Sequence, residues 1–170
     1  MLSLLPSLLT LSLAAPGNPP PLSGELVPAG ERIQLAVIMK YSDPKALAAE
    51  VKHDQATGQP PLSASEIGEK YGPSPADYRR LQNWFTAAGF EIQDSNGVGR
   101  MVIATTGTAA QVTKLFGVRL HRVKGQPPKI HAPDGKPRYP DWVKDLVSII
   151  QGFDNRPNQF KETKHPHTGG

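Results

Sequence analysis

The run ERIQLAVIMKY at residues 31–41 restricts the fold more than any other stretch. Ile33, Leu35, Val37 and Met39 alternate onto one face, and Ala36 and Ile38 onto the other, the pattern of a central strand with neighbours on both sides. Such a strand needs partner strands and a covering layer. The segments after it supply both.

Helix starts follow in a regular series. Asp43 offers an N-cap and Pro44 a first helical position, predicting a helix that turns Leu47 and Val51 inward and stops near Gly58. SASE at 63–66 is a capping box for a short helix ending at Gly72. SPAD at 74–77 starts a third, with Tyr78, Leu81, Phe85 and Ala88 along one face until Gly89.

Two strand-like runs, FEIQ and RMVIATT, flank DSNGVG, whose Asn96-Gly97 pair predicts a hairpin. TAAQ at 108–111 caps a helix carrying Val112, Leu115 and Phe116 and closed by Gly117, and VRLHRV (118–123) returns as a strand. Strand, helices, strand, strand, helix, strand is the split βαβ order. The expected fold class is therefore α+β and ferredoxin-like, an antiparallel sheet with helices on one face. A Pro-rich excursion (125–140) with an Asp134-Gly135 turn leads to a last expected helix, opened by Pro140, with Trp142, Val143, Leu146, Ile149 and Ile150 facing in and its end at Gly152.

The organisation expected is a signal peptide at 1–15, a Pro-rich linker at 16–30, one domain at 31–153 and a tail at 154–170. Residues 1–15, MLSLLPSLLTLSLAA, are apolar, too short to span a membrane and end in small residues, although a charged n-region is missing. The absence of cysteine removes disulfides, thiol nucleophiles and Cys-based metal sites. Residues 1–99 carry 7 Lys and Arg against 10 Asp and Glu, whereas residues 100–170 carry 12 against 5. The basic half favours an anionic partner.

Each motif with possible chemistry has a plainer explanation. No Gly-x-Ser-x-Gly elbow occurs, and NGVGR (96–100) lies between strands rather than between a strand and a helix, as a hairpin turn would. His165 and His167 are two ligands at most, separated by Pro166. His121 is expected on a solvent-facing strand position. Arg119, Arg122 and Lys124 have no aromatic residues interleaved for base stacking, so nucleic acid is not expected as a partner. Glu50 and Asp54 stand four apart on the first helix, the spacing of a carboxylate pair able to share a proton, but no nucleophile accompanies them. No catalytic, cofactor or metal residue is expected.

LSASEIGEKYGPSPADYRRLQNWFTAAGFEIQ, TGTAAQVTKLFGVRLHRV and GFDNRP, in that order and spacing, together with VPAGERIQLAVIMKYSDP (27–44), resemble the activation propeptide of the sedolisin family of serine-carboxyl peptidases, of the kumamolisin type. The resemblance covers about residues 27–157. It implies a ferredoxin-like propeptide that aids folding of the catalytic domain, covers its active-site cleft and is removed at acid pH, in a secreted, extracellular or periplasmic setting.

The resemblance places the Ser/Glu/Asp triad and a calcium site in the catalytic domain, which would be the partner. No cofactor is expected in this chain and no membrane contact. TTGTAA (105–110) lacks the serine of the family's Ser-Gly-Thr-Ser motif, and EVKHD imitates the family's Glu and Asp spacing only within the propeptide's first helix. No catalytic residue is carried over. An independent ferredoxin-like binding module, inhibiting a peptidase in trans or holding an anionic ligand, is the other class the residues allow.

Overall fold

The computed structural model describes residues 20–93 and 98–157. The expected signal peptide, the Asn96-Gly97 turn, His165 and His167 lie outside the described residues.

The central run is strand β2 (Arg32–Met39), in which Ile33, Leu35, Val37 and Met39 are buried. It is followed by helices α1 (Pro44–Thr57), α2 (Ala64–Tyr71) and α3 (Pro75–Ala87), strand β3 (Glu91–Ile92) and a 3₁₀ turn (Val98–Arg100). Strand β4 (Val102–Thr108) and helix α4 (Ala109–Phe116) come next. The caps act as expected: the Asp43 side chain accepts from the Ala46 amide, and capping boxes form at Ser63/Glu66 and Thr108/Gln111. Gly58 and Gly117 end their helices in the left-handed conformation.

The chain continues through β5 (Leu120–Val123), β6 (His131–Pro133), α5 (Asp141–Leu146) and β7 (Val147–Gln151). An antiparallel sheet of order β3-β4-β2-β7 forms the body. Numbering those strands along the chain gives the ferredoxin-like order, so the α+β, ferredoxin-like expectation holds. Its fourth strand, however, is β7 rather than β5. Residues 147–151, expected as the end of a helix, are extended, and α5 stops at Leu146.

The reason is a register shift between Ile38 and Met39: Ile38 pairs with Ile149 and Met39 with Val147, leaving Ser148 as an extra residue. Val147 and Ile150 both reach the core as a result, and Ile149, expected inside, is 49% exposed.

Strand β5 joins strand β1 (Leu22–Leu26) and β6 in a second antiparallel sheet of order β1-β5-β6, with Leu22 opposite Val123 and Leu26 opposite His121. Here β1 (Leu22–Leu26) falls within the stretch 16–30 expected as linker, so that expectation is corrected at 22–26.

One core fills the space between the main sheet and α3 and α4. Leu81, Phe85, Val112 and Phe116 pack on Ile33, Leu35, Val37 and Ile103, with edge-on aromatic contacts of 5.5 Å between Phe85 and Phe90 and 4.8 Å between Phe116 and Phe153. The α1 helix does not share it. It has no buried residue, and Val51, expected inside, is 39% exposed. With α3 and α4 over the sheet, α1 lies outside them and is tied to α2 by Glu50, which accepts two hydrogen bonds of 2.7 Å from Lys70 Nζ and another from the Tyr71 hydroxyl.

Candidate partner-docking face

The alternation that buries the odd positions of β2 turns its even positions to the other side of the sheet. Register carries the pattern across the strands: Ile149 pairs with Ile38 and Ile38 with Val102, and Gln151 pairs with Ala36 and Ala36 with Ala104. The uncovered face thus has an apolar end at Ile38, Val102 and Ile149 and a shallow centre at two alanines. Its far end is polar, where Gln93 Nε2 donates to Thr106 Oγ1 at 2.8 Å. There an open groove of about 870 Å³ is lined by Gln34, Gln93, Thr106, Arg122 and His131.

Two ion pairs border that groove. Arg32 Nη1 donates to Glu91 Oε1 at 2.9 Å, and the hydrogen bond from Arg32 holds the Glu91 carboxyl below the usual carboxylate range. Arg122 Nη1 donates to Glu31 Oε1 at 3.0 Å, and this bond raises the guanidinium further.

The residues singled out in the sequence are not drawn together. No hydrogen bond joins Glu50 to Asp54; Glu50 is engaged by Lys70 and Tyr71, whose hydrogen bonds lower its carboxyl, so it is no proton-sharing dyad. Gly99 does not form a cradle but packs against Gly68 of α2.

His121 is not solvent-facing as expected. Its side chain is mostly buried, both ring nitrogens lack a hydrogen-bond partner among the described residues, and Nε2 lies 3.7 Å from Asp134 Oδ2. Arg119 donates to Asp134 from its backbone amide (2.9 Å) and from Nε (2.8 Å), and these bonds lower the Asp134 carboxyl. Of the three cations singled out in the basic half, Arg119, Arg122 and Lys124, the first two are therefore already paired within the domain, through contacts that local sequence does not disclose. Among the described residues, no three His, Asp or Glu side chains gather as a metal site would require, and no helix is long and apolar enough to cross a membrane.

A family model described as pro-kumamolisin, activation domain, matches residues 23–156. The chain belongs to that family. No curated protein matches it. A pro-kumamolisin activation domain is the propeptide of a peptidase precursor, from a family of peptidases that are generally secreted, and its partner is the cognate catalytic domain. The uncovered sheet face of this activation domain is partly apolar. The open face was legible only as the even positions of the central strand; its apolar end needed β7, which the sequence disguised as a helix.

Proposed function

We propose that the domain is the inhibitory and chaperoning propeptide of a secreted, acid-active, serine-type endopeptidase of the serine-carboxyl class, and that it docks on the catalytic domain through the uncovered sheet face. The observation that carries this reading is the apolar end of that face, where Ile149 is 49% exposed and Ile38 and Val102 are half-buried, in a domain whose family partner is a catalytic domain. Apolar burial, rather than the basic half, supplies the main attraction, because Arg119 and Arg122 are paired internally. The domain has no catalysis of its own, and the calcium site belongs to the catalytic domain.

Acid release follows from the border of the face. Glu91 has a folded-state carboxyl lowered by Arg32, so the stabilisation of this pair is complete above the unfolded value near 4.3 and is lost as pH falls through the lower folded value. Inhibition by the chain, added in trans to a kumamolisin-type catalytic domain, is expected to weaken as pH falls below about 4.3, where the pair loosens.

Ile149→Asp places a charge in the apolar end and should raise the inhibition constant by roughly tenfold or more, about 1.4 kcal/mol. Lys52→Ala, on the outlying α1, serves as the control without effect. An Ile149→Asp chain that inhibits as well as the unaltered one would move the docking site elsewhere. The purified chain should hydrolyse no peptide between about pH 3 and pH 7, and turnover abolished by Glu50→Ala would make it an enzyme instead.

A further inference from the structure

A strand at the edge of a sheet leaves one row of backbone N–H and C=O groups without a neighbour, and shortness, charge, proline or a local bend ordinarily keeps foreign strands off it. Among the described residues, three of the four sheet edges are protected in that way. Strand β3 is two residues long and carries Glu91, paired to Arg32. Strand β1 contains Glu25 and bends at Gly24, whose φ is 83°, and β6 contains Pro133. Strand β7, VSIIQ, has neither charge nor proline. Its extra residue, Ser148, precedes the regularly paired stretch from Ile149 to Gln151.

Register shows what this edge presents. The Met39 amide donates to the Met101 carbonyl oxygen at 2.9 Å, so Met39 turns its backbone groups toward β4. Backbone groups alternate sides along an antiparallel strand, and those of Ile38 and Ala36 therefore face β7. Their partners Ile149 and Gln151 face back toward β2, and Ile150 between them directs its N–H and C=O outward. Strand β2 is the one strand bonded to β7, and among the described residues no turn or loop bonds to the Ile150 backbone.

The outward side of Ile150 is a groove. Its side chain, 7% exposed, belongs to the core, so what it offers outward is its backbone. Ile150 lines an open groove of about 610 Å³ together with Ser148, Gln151, Pro133, Pro137 and Tyr139. The two prolines have no N–H to give. Such a groove offers hydrogen bonds along a strand edge and apolar surface beside it, which suits an extended peptide: its main chain pairs with the edge and its alternate side chains pack on the flanks.

We propose that β7 is a strand-addition site, at which an extended segment of the partner catalytic domain pairs with the Ile150 edge and becomes the fifth strand of the main sheet. Continuity assigns the partner. Ile149 lines this groove and also forms the apolar end of the uncovered face, so a protein docked on that face borders the edge of β7. The inference thus rests on the docking reading above. The residue of the segment that pairs with Ile150 is not proline, since it must donate to the Ile150 carbonyl. Its neighbour beside Ile149 is apolar, because that side of the added strand continues the apolar end. Charge does not select the segment, as Asp154 in the groove is already paired with Arg156.

The test follows the Ile150 amide by hydrogen exchange in the full chain, free and bound to a kumamolisin-type catalytic domain whose nucleophilic serine is replaced by alanine. The amide should exchange freely in the unbound chain at every chain concentration and slow by roughly tenfold or more in the complex. An ester in place of the peptide bond between Ile149 and Ile150 removes this one donor and keeps every side chain; it should raise the inhibition constant roughly threefold to tenfold. Ala104→Asp, at the centre of the uncovered face and outside this groove, tests the docking reading separately. If Ala104→Asp weakens inhibition and the ester does not, strand addition is overturned and the docking face stands. An ester effect without an Ala104→Asp effect supports strand addition and moves the rest of the docking surface elsewhere. An Ile150 amide already slow in the free chain, or slowed by raising the chain concentration alone, would overturn the proposal by assigning the edge to this chain's own segments or to a second copy. Should the ester chain fail to fold, exchange in the unaltered chain decides alone.

Discussion

Phe85→Ala is expected to lower the unfolding free energy by about 3–5 kcal/mol. Phe85 is fully buried on α3 and meets aromatic rings on three sides, with centroids 4.9 Å from Trp84, 5.5 Å from Phe90 and 6.2 Å from Phe116. Truncation loses both the transfer free energy of the ring and the contacts of its lining. The neighbours cannot close the gap easily, because Phe90 lies against the backbone of Gly107 on β4, where an added Cβ would come within 2.5 Å of its ring. Against a typical domain stability of about 5–15 kcal/mol, the loss is large. It should lower the midpoint of thermal unfolding by roughly 6–20 °C. A melt by circular dichroism that matches the unaltered chain would show that α3 does not seal the core through this side chain.

Gly68→Ala is expected to cost about 3 kcal/mol or more, the upper end of the overpacking range. Helix propensity alone predicts a gain near 1 kcal/mol, since alanine is favoured over glycine inside a helix. The sign is reversed by distance: a Cβ on Gly68 would lie 1.8 Å from Gly99 Cα and 2.6 Å from the Gly99 carbonyl carbon and oxygen, all backbone atoms that no rotamer change can move. Gly99 has φ of 75°, and Arg100 beside it has φ of 57°, an unusual value for a residue with a side chain. Arg100 Nε donates to the Pro73 carbonyl at 3.0 Å and its Nη2 to the Gly68 carbonyl at 3.2 Å, holding the turn on the C-terminal end of α2. Separating α2 from the turn would pull on β4, which starts two residues later. Gly135→Ala is the contrasting substitution, because nothing lies within 4 Å of its added Cβ. Urea unfolding should separate the two variants, and equal midpoints for both would rule out the close backbone packing.

Much of the site's surroundings was legible because the relevant signals are short. Each N-cap lies within three residues of the amide it satisfies, as with Asp43 and Ala46 or Thr108 and Gln111, so contiguous sequence contains both partners. The alternation of β2 likewise separated Ile33, Leu35, Val37 and Met39 from the residues of the opposite face before any neighbour was known. The contact between the His131 ring and the Gly152 carbonyl left no such mark, since the two residues are 21 apart in sequence.

By itself the sequence determined the four capped helices, the central strand and the ferredoxin-like order, because these depend on contacts within a turn of helix or on a period of two. Only the tertiary structure decided what the end of the domain would be. Val143, Val147 and Ile150 are buried at spacings of four and three, which is a helical period, yet Val147 and Ile150 belong to a strand whose extra residue, Ser148, mimics that period. The edge of β2 was available for pairing there, and its backbone hydrogen-bonding groups outweighed the local pattern. The same holds for charge. Arg122 and Glu31 meet across 91 residues and Arg32 and Glu91 across 59, so which cations remain for a partner was fixed by how distant strands register, not by how many basic residues the chain carries.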